Sequence, residues 1–370
     1  MIKTGKRNLH RTSGKPERLL LTFATSFLLK AAAVAFIALY IGGAYAQAQS
    51  FVSFYASSPG TNEVKRYNGG NGNFLEVFVT AGSGGIDTPG GMAFGPDRNF
   101  YVASIDTDEV LRYNRKNGDF IDVFVTAGSG GLDEPGQIVF GPDENLYVTS
   151  AGTSEVLRYD GETGDFIDTF VTAGSGGLDT PFDLTLIIGG DLYVSSTGSN
   201  EVLRYDGATG EFIEVFVTVA SGGLGGPRGI SFGGDSNLYV SSFNTDEVLR
   251  YDGATGEFID TVVSAGTGGL VNPTGLVFGP DSRMYVSSSG SNQVIRYDRT
   301  TGQFLGVFVL SGSFGPFDPN YILFNPRTSG GGLDSSNCSL AEPGARNGLP
   351  WLLLTPLLFV VFIRLVRSYT

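Results

Sequence analysis

The chain repeats one short segment at even intervals. The segment begins at Val64, Val110, Val156, Val202, Val248 and Val294, so each copy starts 46 residues after the one before it. A period in this range indicates a repeat architecture, in which each copy is one supersecondary unit that buries its apolar surface against its neighbours. The period therefore constrains the fold more than any single motif in the chain.

Each unit contains four short apolar runs. In one unit the runs cover residues 184–187, 192–196, 202–205 and 212–217, and turns rich in Gly, Asp, Asn and Ser separate them. Short apolar runs bounded by such turns predict β-strands, and the unit shows no helical periodicity. Four strands in a unit of this length are typical of a β-propeller blade.

The two ends of the array predict how the ring closes. Phe54 and Tyr55 match a second strand that has no first strand before it, and residues 319–324 match a first strand that has no second. Pairing them builds a sixth blade from one C-terminal strand and three N-terminal strands, and leaves no open sheet edge. The sequence thus predicts an all-β, six-bladed propeller of four-stranded blades over residues 49–327.

An Arg-Tyr pair recurs in the third predicted strand of every unit. The arginines are Arg66, Arg112, Arg158, Arg204, Arg250 and Arg296. A third strand lies midway out in its blade, so we expect these side chains between neighbouring sheets. There they can stack on aromatic rings or pair with the repeated Glu at positions 63, 109, 155, 201 and 247. We interpret the arginines as architectural, and a ring of anion sites is the alternative.

Three stretches of the chain carry a family resemblance. They are G-P-D-E-N-L-Y-V at 141–148, S-E-V-L-R-Y-D at 154–160 and T-G-D-F-I-D at 163–168. These stretches resemble the NHL-type repeat and its streptogramin-lyase-like and gluconolactonase-like relatives, and the likeness extends over all six units. It implies a binding platform or, less often, an enzyme. The catalytic histidine of the lyase-like family has no counterpart, because the only histidine, His10, precedes the repeats.

A site at one mouth of the central channel is compatible with the sequence. The residues that begin the first strands point there, and four of them are polar and long: Gln137, Asp183, Arg228 and Asn320. A calcium-dependent, lactonase-like hydrolase around Asp183 would need several oxygen ligands at this mouth. One carboxylate is a thin basis for such a metal site. We therefore predict a binding site without a cofactor, and keep the calcium-dependent hydrolase as the alternative.

The N-terminal residues predict export. Residues 1–48 contain a basic leader, an apolar stretch at 31–42 and a small-residue cleavage site that ends at Ala46. This order is typical of a secretory signal peptide. An uncleaved membrane anchor is the alternative, because the leader is long and Lys30 interrupts the apolar part.

The C-terminal residues predict an anchor or a sorting signal. Residues 328–348 form a polar linker that contains Cys338, the only cysteine, and residues 349–370 contain an apolar stretch followed by Arg367. The apolar stretch is long enough for a transmembrane helix whose basic end stays in the cytoplasm. The tail resembles bacterial C-terminal sorting signals, which implies protease cleavage and modification at Cys338. An ordinary tail anchor is the alternative.

Charge and symmetry bear on function. The chain has 24 basic and 37 acidic residues, and residues 47–337 alone have 14 and 35, a net charge of −21. Such a surface disfavours nucleic acid as a partner. An active site needs one asymmetric group of residues, whereas the six units are nearly alike. We therefore predict an exported, membrane-anchored or surface-sorted, monomeric propeller that binds a protein or glycan partner without catalysis.

Overall fold

The computed structural model describes residues 52–187, 190–312 and 314–325. Three predicted segments lie outside these residues: the signal peptide with Ala46, the linker with Cys338 and the apolar segment at 349–370. Their roles stay predictions. Within the described ranges, no helix is long and apolar enough to cross a membrane.

The described residues form six antiparallel sheets of four strands each, so the predicted fold class is confirmed. The chain begins with β1 (Ser53–Ser58), β2 (Glu63–Asn68) and β3 (Phe74–Val79). Blade 1 contains β4 (Pro89–Phe94), β5 (Phe100–Ser104), β6 (Glu109–Tyr113) and β7 (Phe120–Val125). Blade 2 contains β8 (Pro135–Phe140), β9 (Leu146–Ser150), β10 (Glu155–Tyr159) and β11 (Phe166–Val171).

The next three blades follow in chain order. Blade 3 contains β12 (Pro181–Leu186), β13 (Leu192–Ser196), β14 (Glu201–Tyr205) and β15 (Phe212–Val217). Blade 4 contains β16 (Pro227–Phe232), β17 (Leu238–Ser242), β18 (Glu247–Tyr251) and β19 (Phe258–Val263). Blade 5 contains β20 (Pro273–Phe278), β21 (Met284–Ser288), β22 (Gln293–Tyr297) and β23 (Phe304–Val309).

Blade 6 joins the two ends of the described chain. Strand β24 (Ile322–Phe324) pairs with β1, which gives the strand order β24-β1-β2-β3. Phe324 lies opposite Phe54 in this pairing, and the amide of Asn325 donates to the carbonyl of Ser53 at 2.8 Å. The predicted closure is confirmed, and it covers the edge of β1 that would otherwise be open.

Helical structure in the described residues is limited to eight single 3₁₀ turns. They are Pro59–Thr61, Ser83–Gly85, Ile105–Thr107, Ser129–Gly131, Ser175–Gly177, Ser221–Gly223, Thr267–Gly269 and Ser289–Ser291. These turns lie in the crossovers between blades or in the loops between second and third strands. Both kinds of loop lie at the end of the propeller where the innermost strands begin, which we call the mouth face. The opposite end, formed by the other turns of each blade, is the turn face.

Apolar packing between neighbouring sheets holds the blades together. The second strand of each blade is buried along its length, as in β9, except for Ser53 at the start of β1, because the sheets on both sides cover it. Aromatic rings interlock at these interfaces: the centroid of the Tyr101 ring lies 4.9 Å from the centroids of both Phe124 and Phe140. Such contacts add to the free energy gained by burying the rings.

The repeated arginines lie between sheets and stack on aromatic rings as predicted, but the predicted pairing with the repeated Glu is wrong. Arg158 stacks on Phe170 at 4.9 Å and donates to Asp168 on the neighbouring strand. Glu155 is not its partner, because residues three apart on one strand point to opposite faces of the sheet. Asp168 lies directly opposite Arg158 in the register. Equivalent pairs join Arg66, Arg112, Arg204 and Arg250 to Glu76, Asp122, Glu214 and Asp260.

A polar contact latches each blade to the next. The residue before each third strand has a left-handed backbone, and its side chain accepts a hydrogen bond from the amide that precedes the next proline. Asn200, with φ of 60°, accepts from Gly226 in this way at 2.6 Å. The equivalent acceptors are Asn62, Asp108, Ser154, Asp246 and Asn292.

Candidate functional site

A β-bulge places the predicted site residues at the mouth. In blade 3, Pro181 pairs with Ser196 but Leu184 pairs with Val194, so the innermost strand holds one extra residue. The same irregularity occurs in the innermost strands of blades 1, 2, 4 and 5. A bulge turns side chains away from the regular alternation of a strand. The bulged positions therefore present their side chains to the channel mouth.

Asp183 and Gln137, two of the predicted site residues, are in contact at this mouth. The Gln137 amide nitrogen Nε2 donates to Asp183 Oδ1 at 3.0 Å. The same oxygen accepts the Leu184 amide at 2.8 Å, and Asp183 Oδ2 accepts the Ile230 amide at 2.9 Å. Asp183 thus joins blade 3 to blades 2 and 4. Because its side chain is buried and both oxygens are hydrogen-bonded, it acts first as a structural bridge.

Burial controls the ionisation of Asp183. The loss of water around the carboxyl raises its pKa to about 7, and the hydrogen bonds from Ile230, Gln137 and Leu184 only partly oppose this. The carboxyl therefore titrates close to neutral pH. A shifted carboxyl of this kind often marks a functional site, but it also occurs in structural bridges.

An aromatic pair closes the mouth. The Phe182 ring from blade 3 stacks on the Tyr321 ring, which precedes β24 of blade 6, at 4.9 Å between centroids and 12° between planes. Blades 3 and 6 face each other across the ring. The Tyr321 hydroxyl donates to the carbonyl of Phe182 at 2.9 Å. Small residues make room for this pair, since a Cβ added at Gly136 would lie 3.1 Å from the Tyr321 hydroxyl.

Tyr321 is a permanent donor in this pair. Burial, and then the charge of Asp183, raise the pKa of its hydroxyl well above the ordinary value. The hydroxyl therefore keeps its proton throughout the physiological range. Phe182 and Tyr321 together cover the entrance to the channel, and Asp183 lies behind them.

Arg228 extends the aromatic layer toward blade 4. The Cζ atom of its guanidinium lies 5.0 Å from the centroid of Phe182 and 3.5 Å from the centroid of Phe243. Phe243 comes from the loop after β17. Two aromatic rings thus lie within cation–π distance of the guanidinium, a favourable arrangement for a cation. The stack of Phe243, Arg228, Phe182 and Tyr321 crosses the mouth face.

Asn320 takes part in the contacts at the mouth through its main-chain carbonyl. Its carbonyl accepts the Gly275 amide at 2.7 Å, which joins blade 5 to the residues before β24. Of the four predicted residues, Gln137 and Asp183 form one hydrogen-bonded group and Arg228 belongs to the aromatic stack. The structure therefore divides the predicted site into a buried bridge and a half-buried aromatic layer next to it.

Sequence analysis missed the aromatic part of the site. Phe182, Tyr321 and Phe243 are aromatic at positions where none of the other blades carries an aromatic residue, and this contrast was a usable signal. The sequence analysis considered only polar residues as candidates for binding at the mouth. Apolar residues that break a repeat are as informative as polar ones, because the fold does not require them.

The donor set at the mouth does not fit calcium. Of the four predicted residues Gln137, Asp183, Arg228 and Asn320, Asp183 alone has a carboxylate, and N–H groups already occupy its oxygens. A calcium ion needs six to eight oxygen ligands that face a common point. Among the described residues, no group of three or more His, Cys, Asp or Glu side chains is arranged to hold a metal ion.

Comparisons with solved structures agree with the fold. A chain in the crystal structure of a nidogen/laminin complex matches with a TM-score of 0.56 and 15% identity, over 74% of this chain and 98% of that one. Virginiamycin B lyase from Staphylococcus aureus matches with a TM-score of 0.52 and 16% identity, over 74% and 87%. No family model and no curated protein sequence matches the chain.

These comparisons establish a shared six-bladed propeller architecture. Identities this low show the fold alone, and the same fold serves both a protein complex and a lyase in the two matched structures. The resemblance to the NHL-type repeat stays a resemblance. The function of this chain must therefore be argued from its own site.

Proposed function

We propose that this protein is a non-catalytic binding platform that holds a protein or glycan partner on its mouth face. The observation that carries the proposal is the aromatic layer of Phe182 and Tyr321, with Arg228 beside it. Phe182, Phe243 and Arg228 are partly exposed in this layer, and aromatic residues and arginine contribute most to binding energy at interfaces. The layer is also the main departure from the six-fold repeat at this face.

The same layer disfavours the alternative of a metal-dependent hydrolase at Asp183. A substrate would have to pass Phe182 and Tyr321 to reach the carboxyl, which has 5% of its surface exposed. The hydrogen bonds from Gln137, Leu184 and Ile230 would also have to break before Asp183 could bind a metal. A general base or metal ligand needs free lone pairs within reach of the reacting group.

A protein partner is the better supported of the two partner classes. The matched chain in the nidogen/laminin structure comes from a complex between two proteins. Residues 47–337 carry 14 basic and 35 acidic residues, so acidic glycans would be repelled by most of the surface. A glycan partner would have to be neutral or make few contacts with charged groups.

We further propose that the platform is exported and held at a membrane or cell surface. The support comes from the signal-peptide pattern that ends at Ala46 and from the tail with Cys338 and the apolar residues 349–366. In the propeller, β24 runs from the mouth face to the turn face, because it begins beside the mouth residues and pairs antiparallel with β1.

Site-specific photo-cross-linking tests the platform. A photoreactive residue replaces Asn244 or Val219, both exposed in loops of the mouth face, in the full chain within its native membrane. Ala208 and Glu162, exposed in turns of the turn face, are the matched control positions. We expect a discrete cross-linked partner from the mouth-face positions and none from the controls.

The opposite result would reject the platform. Cross-links from the turn face alone would place the interaction at the wrong end of the propeller. Turnover in a lactone and ester hydrolysis screen, lost in Asp183→Ala but kept in Asp191→Ala, would show an enzyme instead. Asp191 is a suitable control because it lies in blade 3, near the turn face, and pairs with Arg204.

A further inference from the structure

Arg228 is a cation that breaks the repeat. The equivalent bulge positions in the other blades hold Gly90, Gly136, Phe182, Thr274 and Asn320. Phe243 also departs from its equivalents, since the first residue after the second strand is Pro59, Ile105, Ala151, Thr197 or Ser289 elsewhere. The stacked pair of Arg228 and Phe243 therefore occurs in one blade only. The fold does not require it, because the other five blades are built without it.

The guanidinium of Arg228 has no anionic partner. Among the described residues it forms no ion pair, whereas Arg158 and Arg250 each bond to a carboxylate on the next strand. Its Nε atom is buried and has no hydrogen-bond partner. Leaving a buried donor unpaired costs free energy, and a ligand that supplied the acceptor would recover it.

The charges around Arg228 leave room for an anion. Burial lowers the pKa of Arg228, and the nearby Tyr321 and Asp318 oppose this only in part. Asp318 lies on the exposed crossover before β24. The guanidinium stays protonated in proteins, so the site holds a poorly compensated positive charge.

The shape of the site selects the kind of anion. The Cζ atom of the guanidinium lies 5.0 Å from the centroid of Phe182 and 3.5 Å from that of Phe243, and a ligand would bond to the N–H groups at the edge of the guanidinium. A carboxylate matches that edge with two parallel hydrogen bonds. The aromatic walls exclude water and strengthen both bonds. Arg228 is a single site on a propeller with a net negative charge, which would repel a polyanion. These charges favour a ligand with one carboxylate.

We propose that Arg228, held between Phe182 and Phe243, is a carboxylate-binding site that takes an Asp or Glu side chain, or a carboxy terminus, of a protein partner. This inference rests on the proposed platform function, and it specifies the chemistry of the partner at one point of the mouth face.

NMR spectroscopy of arginine Nε–Hε groups in the full chain tests the site. The probe is N-acetyl-aspartic acid amide, and N-acetyl-asparagine amide is its neutral control. We expect a saturable downfield shift of the Arg228 Nε–Hε signal with the acid, and binding of the neutral control at least about tenfold weaker. The Arg158 and Arg250 signals report groups that are already bonded to Asp168 and Asp260, so they should not move.

The variant Arg228→Lys identifies the Nε–Hε signal of Arg228 by its loss. It keeps the positive charge but cannot form two parallel hydrogen bonds with a carboxylate. We expect it to lose the response, with a melting temperature close to that of the parent protein. Absence of a shift in the parent protein, or equal binding of the aspartate and asparagine probes, would overturn the proposal.

Two further outcomes separate the possible explanations. Tighter binding of glucuronate than of the aspartate probe would overturn the choice of a protein ligand and indicate an acidic glycan. A negative titration combined with cross-links from Asn244 would reject the carboxylate site and leave the binding platform intact.

Discussion

The hydroxyl of Tyr321 donates to the carbonyl of Phe182 at 2.9 Å while the two rings stack at 4.9 Å, so blades 3 and 6 touch across the axis of the propeller. This contact makes the centre of the ring a packed interface at the mouth. It links two segments that are 139 residues apart in the chain. The closing strand is therefore fixed from two sides, by β1 and by the opposite blade.

The stack should contribute more to stability than the hydrogen bond. Tyr321→Phe removes the hydroxyl but leaves Thr149 as a donor to the Phe182 carbonyl, so we expect a loss of about 1 kcal/mol in unfolding free energy. Tyr321→Ala removes the buried ring as well, and we expect a loss of about 3–5 kcal/mol. Equilibrium unfolding in denaturant measures both. Equal losses for the two variants would show that the ring contact is unimportant.

Buried serines at one register position provide a matched test of closure. Ser57 Oγ accepts the Tyr321 amide at 3.0 Å, whereas Ser241 and Ser287 have buried hydroxyls with no partner. We expect Ser57→Ala to cost about 1–3 kcal/mol, because it leaves a buried N–H unpaired. Ser241→Ala and Ser287→Ala should be neutral or stabilising, as Ala103 occupies the same position in blade 1. Thermal unfolding that ranks Ser241→Ala as the most damaging would contradict this account.

Stability should depend on pH through Asp183. Its pKa is raised from the ordinary 3.8 to about 7 in the folded protein, so between these values the folded state binds more protons than the unfolded state. The unfolding free energy therefore falls as the pH rises from about 4 to about 7, by up to about 4 kcal/mol. The difference between the parent protein and Asp183→Asn, measured in urea at each pH, isolates this group.

The variant has its own cost, which does not vary with pH. Asp183→Asn turns one N–H group toward the Ile230 amide, so it should be less stable at low pH by about 1–3 kcal/mol. Because the parent loses more stability than this cost, we expect the gap to close and the variant to become the more stable protein as the pH rises toward 7. A constant gap would show that Asp183 keeps an ordinary pKa in the fold.

The latch at Asn200 can be divided into its backbone and side-chain parts. Asn200→Gly keeps the left-handed backbone and loses the hydrogen bond to the Gly226 amide, and we expect a cost of about 1 kcal/mol. Asn200→Ala loses the bond and adds the strain of a left-handed alanine, about 1–2 kcal/mol more. Asn200→Asp should be nearly neutral, since Asp108 and Asp246 serve the same role. Chemical denaturation of the three variants checks this order, and equal costs for Gly and Ala would refute the backbone part.

The repeat predicted the blades and their closure because both follow from the period and from which strands the ends lack. The period could not predict the partner of Arg158. That partner depends on the register between β10 and β11, which contains two irregularities. The sequence analysis chose Glu155 as the partner of Arg158 because it is near in sequence, whereas the partner in the structure is Asp168.

The candidate site was predicted only in part, because its contacts also depend on local irregularities of the strands. Gln137 and Asp183 were both placed at the mouth, because they begin innermost strands of adjacent blades. Their hydrogen bond depends on the extra residue that each bulge accommodates, which the hydrophobic pattern does not show. The stack of Phe182 on Tyr321 joins opposite blades, so neither local pattern nor the order of neighbouring strands indicates it.

Closure through blade 6 also has a consequence for the synthesis of the chain. Ser57 and Tyr321, which hold the seam together, are separated by 264 residues. Until the last strand has been made, β1 keeps an unpaired edge, and an exposed edge can recruit strands from other chains. The edge of β1 therefore stays unpaired, and prone to aggregation, during nearly the whole of translation. Helper proteins that shield unfinished chains should therefore matter more for this propeller than its final stability suggests.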